Sequence, residues 1–257
     1  MSRTVLVTGG GRRLGAAIVR ALAQGGHRVV IHHHQPHDDE AAALARELDP
    51  SGERVATVVG DLADPAAPPV ILRAAREAMR GPIDGLVNSA SLFEFDRPPA
   101  FDATLLAKLA PVNLAAPVAL ACALAQQDDL TDGAVVNLLD QKVDNLNPDF
   151  FSYTLTKVAL EGATTMLAQA LAPRVRVNAV APGLTLPSGD QSEAEFAAVA
   201  SENLLRRPVG AEVIAQAVTY LLATPAVTGQ TLFVDNGQRF LKRDGDVMFS
   251  TPGRRDG

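Results

Sequence analysis

A doubly wound α/β fold, one parallel sheet of about seven strands with helices on both faces, is predicted from three observations. Short β-branched apolar runs alternate with longer helical patterns from end to end, as repeated βαβ units require. A glycine-rich turn joins the first run to the first helical stretch. The 257 residues, 47% of them hydrophobic, can bury one large core, and no linker, repeat or composition shift divides them. A single domain is expected over residues 1–241, with a polar, glycine-containing flexible tail over 242–257.

Taken in order, Thr4–Thr8 reads as a buried parallel strand. Gly9-Gly10-Gly11-Arg12-Arg13-Leu14-Gly15 follows, then an apolar helical pattern over Ala16–Ala23. Strand, glycine-rich turn and helix form the context of a dinucleotide fingerprint, with helix N-terminal amides facing a pyrophosphate. Gly9 permits the tight turn and Gly15 the close packing; a plain βα turn is the simpler alternative. Val29–His32 reads as the second strand. NAD-preferring binders usually end it on a carboxylate, whereas this chain has His32-His33-His34-Gln35-Pro36. Asp38, Asp39 and Glu40 read as first-turn acids of the next helix. With Arg12 and Arg13 within reach of a 2′-phosphate, NADPH is favoured over NADH, and His32 and His34 are candidate cofactor contacts. A solvated strand end or a His-x-His metal pair are alternatives, but no carboxylate or thiol partner is evident and no metal site is expected.

Val55–Val59 is the third strand, delivering Asp61 and Leu62 to a strand C-terminus, where ligands bind in open α/β sheets. Asp61 could accept from an adenine amino group or cap the helix over Ala66–Arg80. Ile83–Val87 is the fourth strand, followed by Asn88-Ser89-Ala90-Ser91, small polar residues that let backbone approach a ribose. Phe93 reads as a ligand-facing aromatic or a loop anchor. Helical periodicity over Phe101–Gln127 is broken at Pro111 and Pro117, with Asn113 inside it, either structural or holding a water. Ala134–Leu139 is the fifth strand and presents Asp140. The next helix carries Tyr153 and Lys157 and runs to about Ala172. Arg174–Val180 is the sixth strand, ending in Ala181-Pro182-Gly183. Leu184–Asn203 reads as a substrate lid, Ala211–Ala223 as a helix and Thr231–Asp235 as the final strand.

Tyr153 and Lys157, four residues apart, stack on one helical face. An ammonium beside a phenol favours phenolate, so the Tyr is expected to be a better proton donor near neutral pH. Hydride transfer to C=O or C=N needs such a donor.

The ordered set Thr8-Gly9-x-x-x-x-x-Gly15, Asn88-Ser89-Ala90, Tyr153-x-x-x-Lys157 and Pro182-Gly183 resembles the short-chain dehydrogenase/reductase family over nearly the whole chain. The resemblance implies a catalytic set in which Tyr153 donates the proton, Lys157 lowers its pKa and binds the nicotinamide ribose, and Asn113 supports a water relay. Two departures are informative. Arg13 stands where the phosphate loop usually has glycine, and Asp140, 13 residues before the Tyr, stands where the family has serine. Both resemble the NADPH-dependent pteridine reductases and related dihydropterin reductases. That likeness implies that Asp140 works with Tyr153 on ring nitrogens, Arg13 and Ser91 approach the substrate, and Phe93 stacks on it. Thr185 is implied at the pyrophosphate or carboxamide, and Pro182 and Gly183 beside the cofactor. Glu94 replaces a second aromatic that some pterin reductases carry. The family also implies a homotetramer built through Phe101–Gln127 and Phe151–Ala172.

The net charge of −6 argues against a sequence-independent nucleic-acid binder. One cysteine, Cys122, leaves no internal disulfide and fits a reducing cytoplasm. No signal-like apolar core follows Met1, and no uninterrupted apolar stretch of membrane-spanning length is expected. Small-molecule reduction is the leading reading. A reductase of another carbonyl or imine, and a catalytically silent NADP-binding redox sensor, are the alternatives, the latter disfavoured by intact Tyr153, Lys157 and Asn113.

Overall fold

A computed structural model describes residues 2–35, 39–187 and 192–247. Seven strands, β1 (Thr4–Thr8), β2 (Arg28–His33), β3 (Val55–Val59), β4 (Gly85–Asn88), β5 (Gly133–Leu138), β6 (Val175–Pro182) and β7 (Thr231–Val234), form one sheet. Their order is β3-β2-β1-β4-β5-β6-β7 and every pairing is parallel. The order reverses between β1 and β4, so the two loops leaving those strands diverge there and open a crevice.

Alternation along each strand divides the core in two. On one face Val5 and Val7 of β1 pack with Ile18 and Leu22 of α1 (Arg13–Gln24), with α2 (Asp39–Leu48) alongside, and with Ile214, Val218 and Leu221 of a later helix, Ala211–Ala223. On the other face Leu6 packs with Ile71 and Leu72 of α3 (Ala67–Met79) and with Leu120 and Leu124. All of these side chains are buried, and all but Ile71, Leu72 and Leu221 fully shielded, each contributing about 1.5–3 kcal/mol of transfer free energy.

Pro111 and Pro117 do not divide the long apolar helix as expected. α4 (Ala103–Ala110) passes through a π-turn, Pro111–Ala115, directly into α5 (Ala116–Ala125). The Ala116 amide reaches back five residues to the Pro111 carbonyl, and this wider turn accommodates a residue that has no N–H. The resulting 23-residue run, Ala103–Ala125, is long and apolar enough to cross a membrane by length and composition, although Lys108 and Asn113 interrupt it. Within the fold, Leu109, Leu120 and Leu124 on it are fully buried as core.

α6 (Phe151–Leu171) bears Tyr153 and Lys157. Its own flanking residue Phe150 supplies no side-chain cap; instead Asp96, from the loop after β4, accepts from the Ser152 amide at 2.8 Å and the Ser152 hydroxyl at 2.6 Å. α7 (Glu193–Val199), opened by a Ser192–Glu195 capping box, supplies the helix of the expected lid, and α8 (Ala211–Ala223) matches its expected range. Asp39 and Glu40 are in the first turn of α2 as expected; Asp38 lies outside the described residues. The tail boundary at 242 is corrected. Gly245 and Asp246 dock against Asp149 and Val247 is buried, because the Lys142–Asp246 pair and the Asp246 amide's bond to Asp149 hold this stretch to the loop after β5.

Candidate active site

One cleft of about 910 Å³ runs along the C-terminal ends of β1 to β6. At one end is the β1–α1 turn. Gly9 has φ 62°, and a Cβ there would meet the Ala90 backbone at 3.0 Å; one on Gly15 would lie 2.1 Å from the Gly9 carbonyl oxygen. Only glycine allows this turn, which leaves the first turn of α1 bare toward the cleft. Thr8 ties it to the β4 loop by accepting from the Ser89 and Ala90 amides at 3.0 and 3.1 Å. Arg13 occupies the left-handed region (φ 49°), where glycine would be unstrained, and donates to the Pro187 carbonyl across the cleft. Arg12 pairs with Glu40 at 2.8 Å on the opposite side. The two arginines therefore separate: Arg12 belongs with the β2–α2 end, Arg13 with the lid.

His32 lines the cleft, but burial drives its pKa down to about 4 and the ring is neutral. Its Nδ1 lies 3.4 Å from the Gly9 amide, and its Nε2 donates to Gly60 O at 3.0 Å. It braces the strand ends and, on the cleft wall as a candidate cofactor contact, offers a neutral ring and no positive charge. His34 is exposed, with Nδ1 3.5 Å from the Asp61 carboxylate. Asp61 accepts from the Ala63 amide at 2.9 Å and so builds a tight turn, while α3 begins only at Ala67; it does not cap that helix. Leu62 lines the wall beside it.

At the other end, Asp140 accepts the hydroxyl of Tyr153 at 3.0 Å. Asp140 lies two residues beyond β5, caps the short turn Gln141–Val143 and accepts from the Lys142 amide at 2.9 Å. Lys157, one helical turn beyond Tyr153 and 3% exposed, donates to the Leu138 carbonyl at 2.8 Å, its ammonium 5.6 Å from the Tyr153 ring centre. Phe93 meets the Tyr153 ring edge-on at 4.7 Å and stacks on Phe150 at 4.1 Å, forming an aromatic wall. Ser91, Pro182, Gly183 and Thr185 also line the cleft, the Thr185 hydroxyl donating to Gly183 O at 2.8 Å.

The electrostatics correct one expectation. Burial first, then the Asp140 carboxylate, pushes the Tyr153 phenol well above its ordinary value. Lys157 does not offset this, for burial lowers its own pKa to about 8. The Asp140 carboxyl is itself raised, chiefly by removal from bulk water. The two groups therefore resist ionising together.

Two expected site residues lie off the wall. Asn88 turns sideways to donate to Asn137 at 2.8 Å, and the residues that follow it, Ser89, Ala90 and Ser91, line the cleft in its place. Asn113 is 1% exposed and fully engaged: its Oδ1 accepts from the Leu92 amide at 2.8 Å and its Nδ2 donates to Leu92 O at 2.9 Å. In this arrangement it anchors the Ser91–Phe93 loop. Sequence reasoning missed Gly60, Lys142, Gln238, Asp246 and Val247, all on the cleft wall. Gln238 accepts from the Leu184 amide at 2.9 Å. Gly60, beside Asp61, and Lys142, two residues after Asp140, had neighbours to point to them; Gln238, Asp246 and Val247 had none.

Residues 3–197 match the family model described as short chain dehydrogenase. A crystal structure of FolM alternative dihydrofolate reductase 1 from Brucella suis, in complex with NADP, is 42% identical, covers 94% of this chain and 96% of that one, and superposes with a TM-score of 0.88. Carbonyl reductase family member 4 of Danio rerio is 34% identical over 94% of this chain and its own full length. Dihydromonapterin reductase of Klebsiella pneumoniae is 27% identical, covering 92% of this chain and 96% of its own.

Proposed function

The chain belongs to the short-chain dehydrogenase family, and from that premise we propose that it is an NADPH-dependent oxidoreductase that reduces a pterin or similar N-heterocycle. The observation that carries this reading is the 3.0 Å hydrogen bond from Tyr153 to Asp140 at the head of the cleft. A serine in that place mainly donates to a ketone oxygen. A carboxylate can accept from an amino-pyrimidine edge or pass a proton toward a ring nitrogen. The likeness to proteins named dihydromonapterin reductase and alternative dihydrofolate reductase supports the same class of substrate.

The chain's own residues fit a dinucleotide. Gly9 and Gly15 leave a cradle that any side chain would fill, under the N-terminus of α1. Arg12 and His34, exposed at the end of β2, suit a 2′-phosphate, where no carboxylate ends the strand. NADP in the Brucella suis relative supports this coenzyme. When bound, NADPH supplies the hydride. Lys157, fixed by the Leu138 carbonyl, orients the nicotinamide ribose. Phe93 gives the flat ring a stacking surface, with Arg13 and Ser91 at its edge. Tyr153 hands its proton to the ring nitrogen, and the Asp140 carboxyl, which burial biases toward its protonated form, returns one to the phenol oxygen, so that a free phenolate, disfavoured beside the carboxyl, is avoided. The phenol is thus a relay whose proton reserve is the Asp.

The test follows NADPH oxidation by absorbance with dihydrobiopterin and dihydrofolate, set against a panel of ketones. Turnover of a dihydropterin is expected. Turnover of ketones alone would overturn the substrate class, and no oxidation of any acceptor would overturn the reductase reading.

A further inference from the structure

The C-terminal residues that reach the cleft have no part in the chemistry described so far. Asp246 and Val247 line it together with Asp140, Tyr153 and Phe93. They are held by a clasp of three loops. Lys142, 2% exposed, donates to Asp246 at 2.8 Å and to Asn147 at 2.9 Å. Asp149, itself buried, accepts from the Asp246 amide at 2.6 Å and binds Arg97, from the loop after β4, at 3.0 Å. Gly245 lets the two segments close: a Cβ there would lie 2.7 Å from the Asp149 carboxylate. The Lys142 ammonium also lies 5.7 Å from the centre of the Phe150 ring, which backs Phe93. A lysine and an aspartate are costly to withdraw from water unless paired, so each holds the other in place. The clasp lies on the loop after β5, away from the phosphate-binding turn.

We propose that Gly245–Val247 is the outer wall of the substrate end of the cleft, with Asp246 and Val247 as specificity-determining contacts and Lys142 as the positioning residue that holds them. The substrate's identity, though not the wall, rests on the pterin reading above. The wall contributes to the fit of the ring's distal edge and leaves dinucleotide binding alone.

Asp246→Ala removes the partner of Lys142, Gly245→Ala crowds the Asp149 carboxylate and disturbs its hold on the Asp246 amide, and Asp246→Asn keeps an acceptor for Lys142. Each variant is measured with whichever acceptor the wild type reduces, dihydrobiopterin if the pterin reading is right and a panel ketone if it is not. Expected is a rise of about tenfold in KM for that acceptor in Asp246→Ala and Gly245→Ala, with the NADPH Kd within about twofold of wild type and Asp246→Asn closer to wild type. An unchanged acceptor KM in both, or an NADPH Kd that rises in step with it, would overturn the wall. A wild type active only on ketones would overturn the pterin reading, while the KM comparison still decides the wall.

Discussion

Tyr153, Lys157 and Asp140 show how far residue type alone reaches. The four-residue spacing correctly places the phenol and the ammonium on one face of α6. It does not reveal that the ammonium is engaged by a carbonyl or that a carboxylate sits on the phenol, since both depend on where β5 ends. Burial leaves Lys157 with a pKa of about 8 against an ordinary 10.5. Between those values the unfolded chain binds the proton and the folded chain releases it, so the folded state gains stability as pH rises across that window. Relative to Lys157→Met, the wild type is therefore expected to gain stability in urea melts between pH 8 and 10, by at most about 3 kcal/mol. An identical pH dependence in both proteins would contradict this. His32 is a similar lesson: its strand-end position is legible, but its neutral, fully bonded ring is not, because Gly9 and Gly60 come from other strands.

Strands and helices are legible from period and punctuation, and β1, β3 and α8 coincide with their expected ranges. The π-turn is not, because a proline in a helical pattern ordinarily signals a break and the tertiary packing of Leu109 and Leu120 overrides it. The turn presents Asn113 to the loop after β4, where it satisfies both backbone groups of Leu92. Asn113→Ala would remove the amide's acceptor and leave the carbonyl only the Ser91 hydroxyl at 3.4 Å. A stability loss of about 2 kcal/mol is expected in chemical denaturation, with a raised KM for the acceptor as Ser91 and Phe93 lose their anchor. A variant as stable as wild type would show that the loop holds itself.

At the scale of the molecule, the doubly wound sheet sets the reversal of strand order between β1 and β4, and the cleft follows from it. That much was written in the alternation of elements. The clasped C-terminal segment was not, since polar, glycine-containing sequence reads as loose until its partners Lys142 and Asp149 are brought to it through space. Leu155, Val158 and Met166 leave α6 with an exposed apolar face, which supports assembly of several copies through this helix. Light scattering is expected to give a tetramer, and Met166→Glu to weaken it; a wild-type monomer at micromolar concentration would contradict the assembly. The most direct test of the Asp140–Tyr153 relay is the dihydropterin kcat across pH in wild type and Asp140→Asn. A fall in the wild-type rate as pH rises through the Asp140 pKa is expected, and a loss of about a hundredfold, flat with pH, in the variant. A variant that keeps both the wild-type rate and its pH profile would contradict the relay.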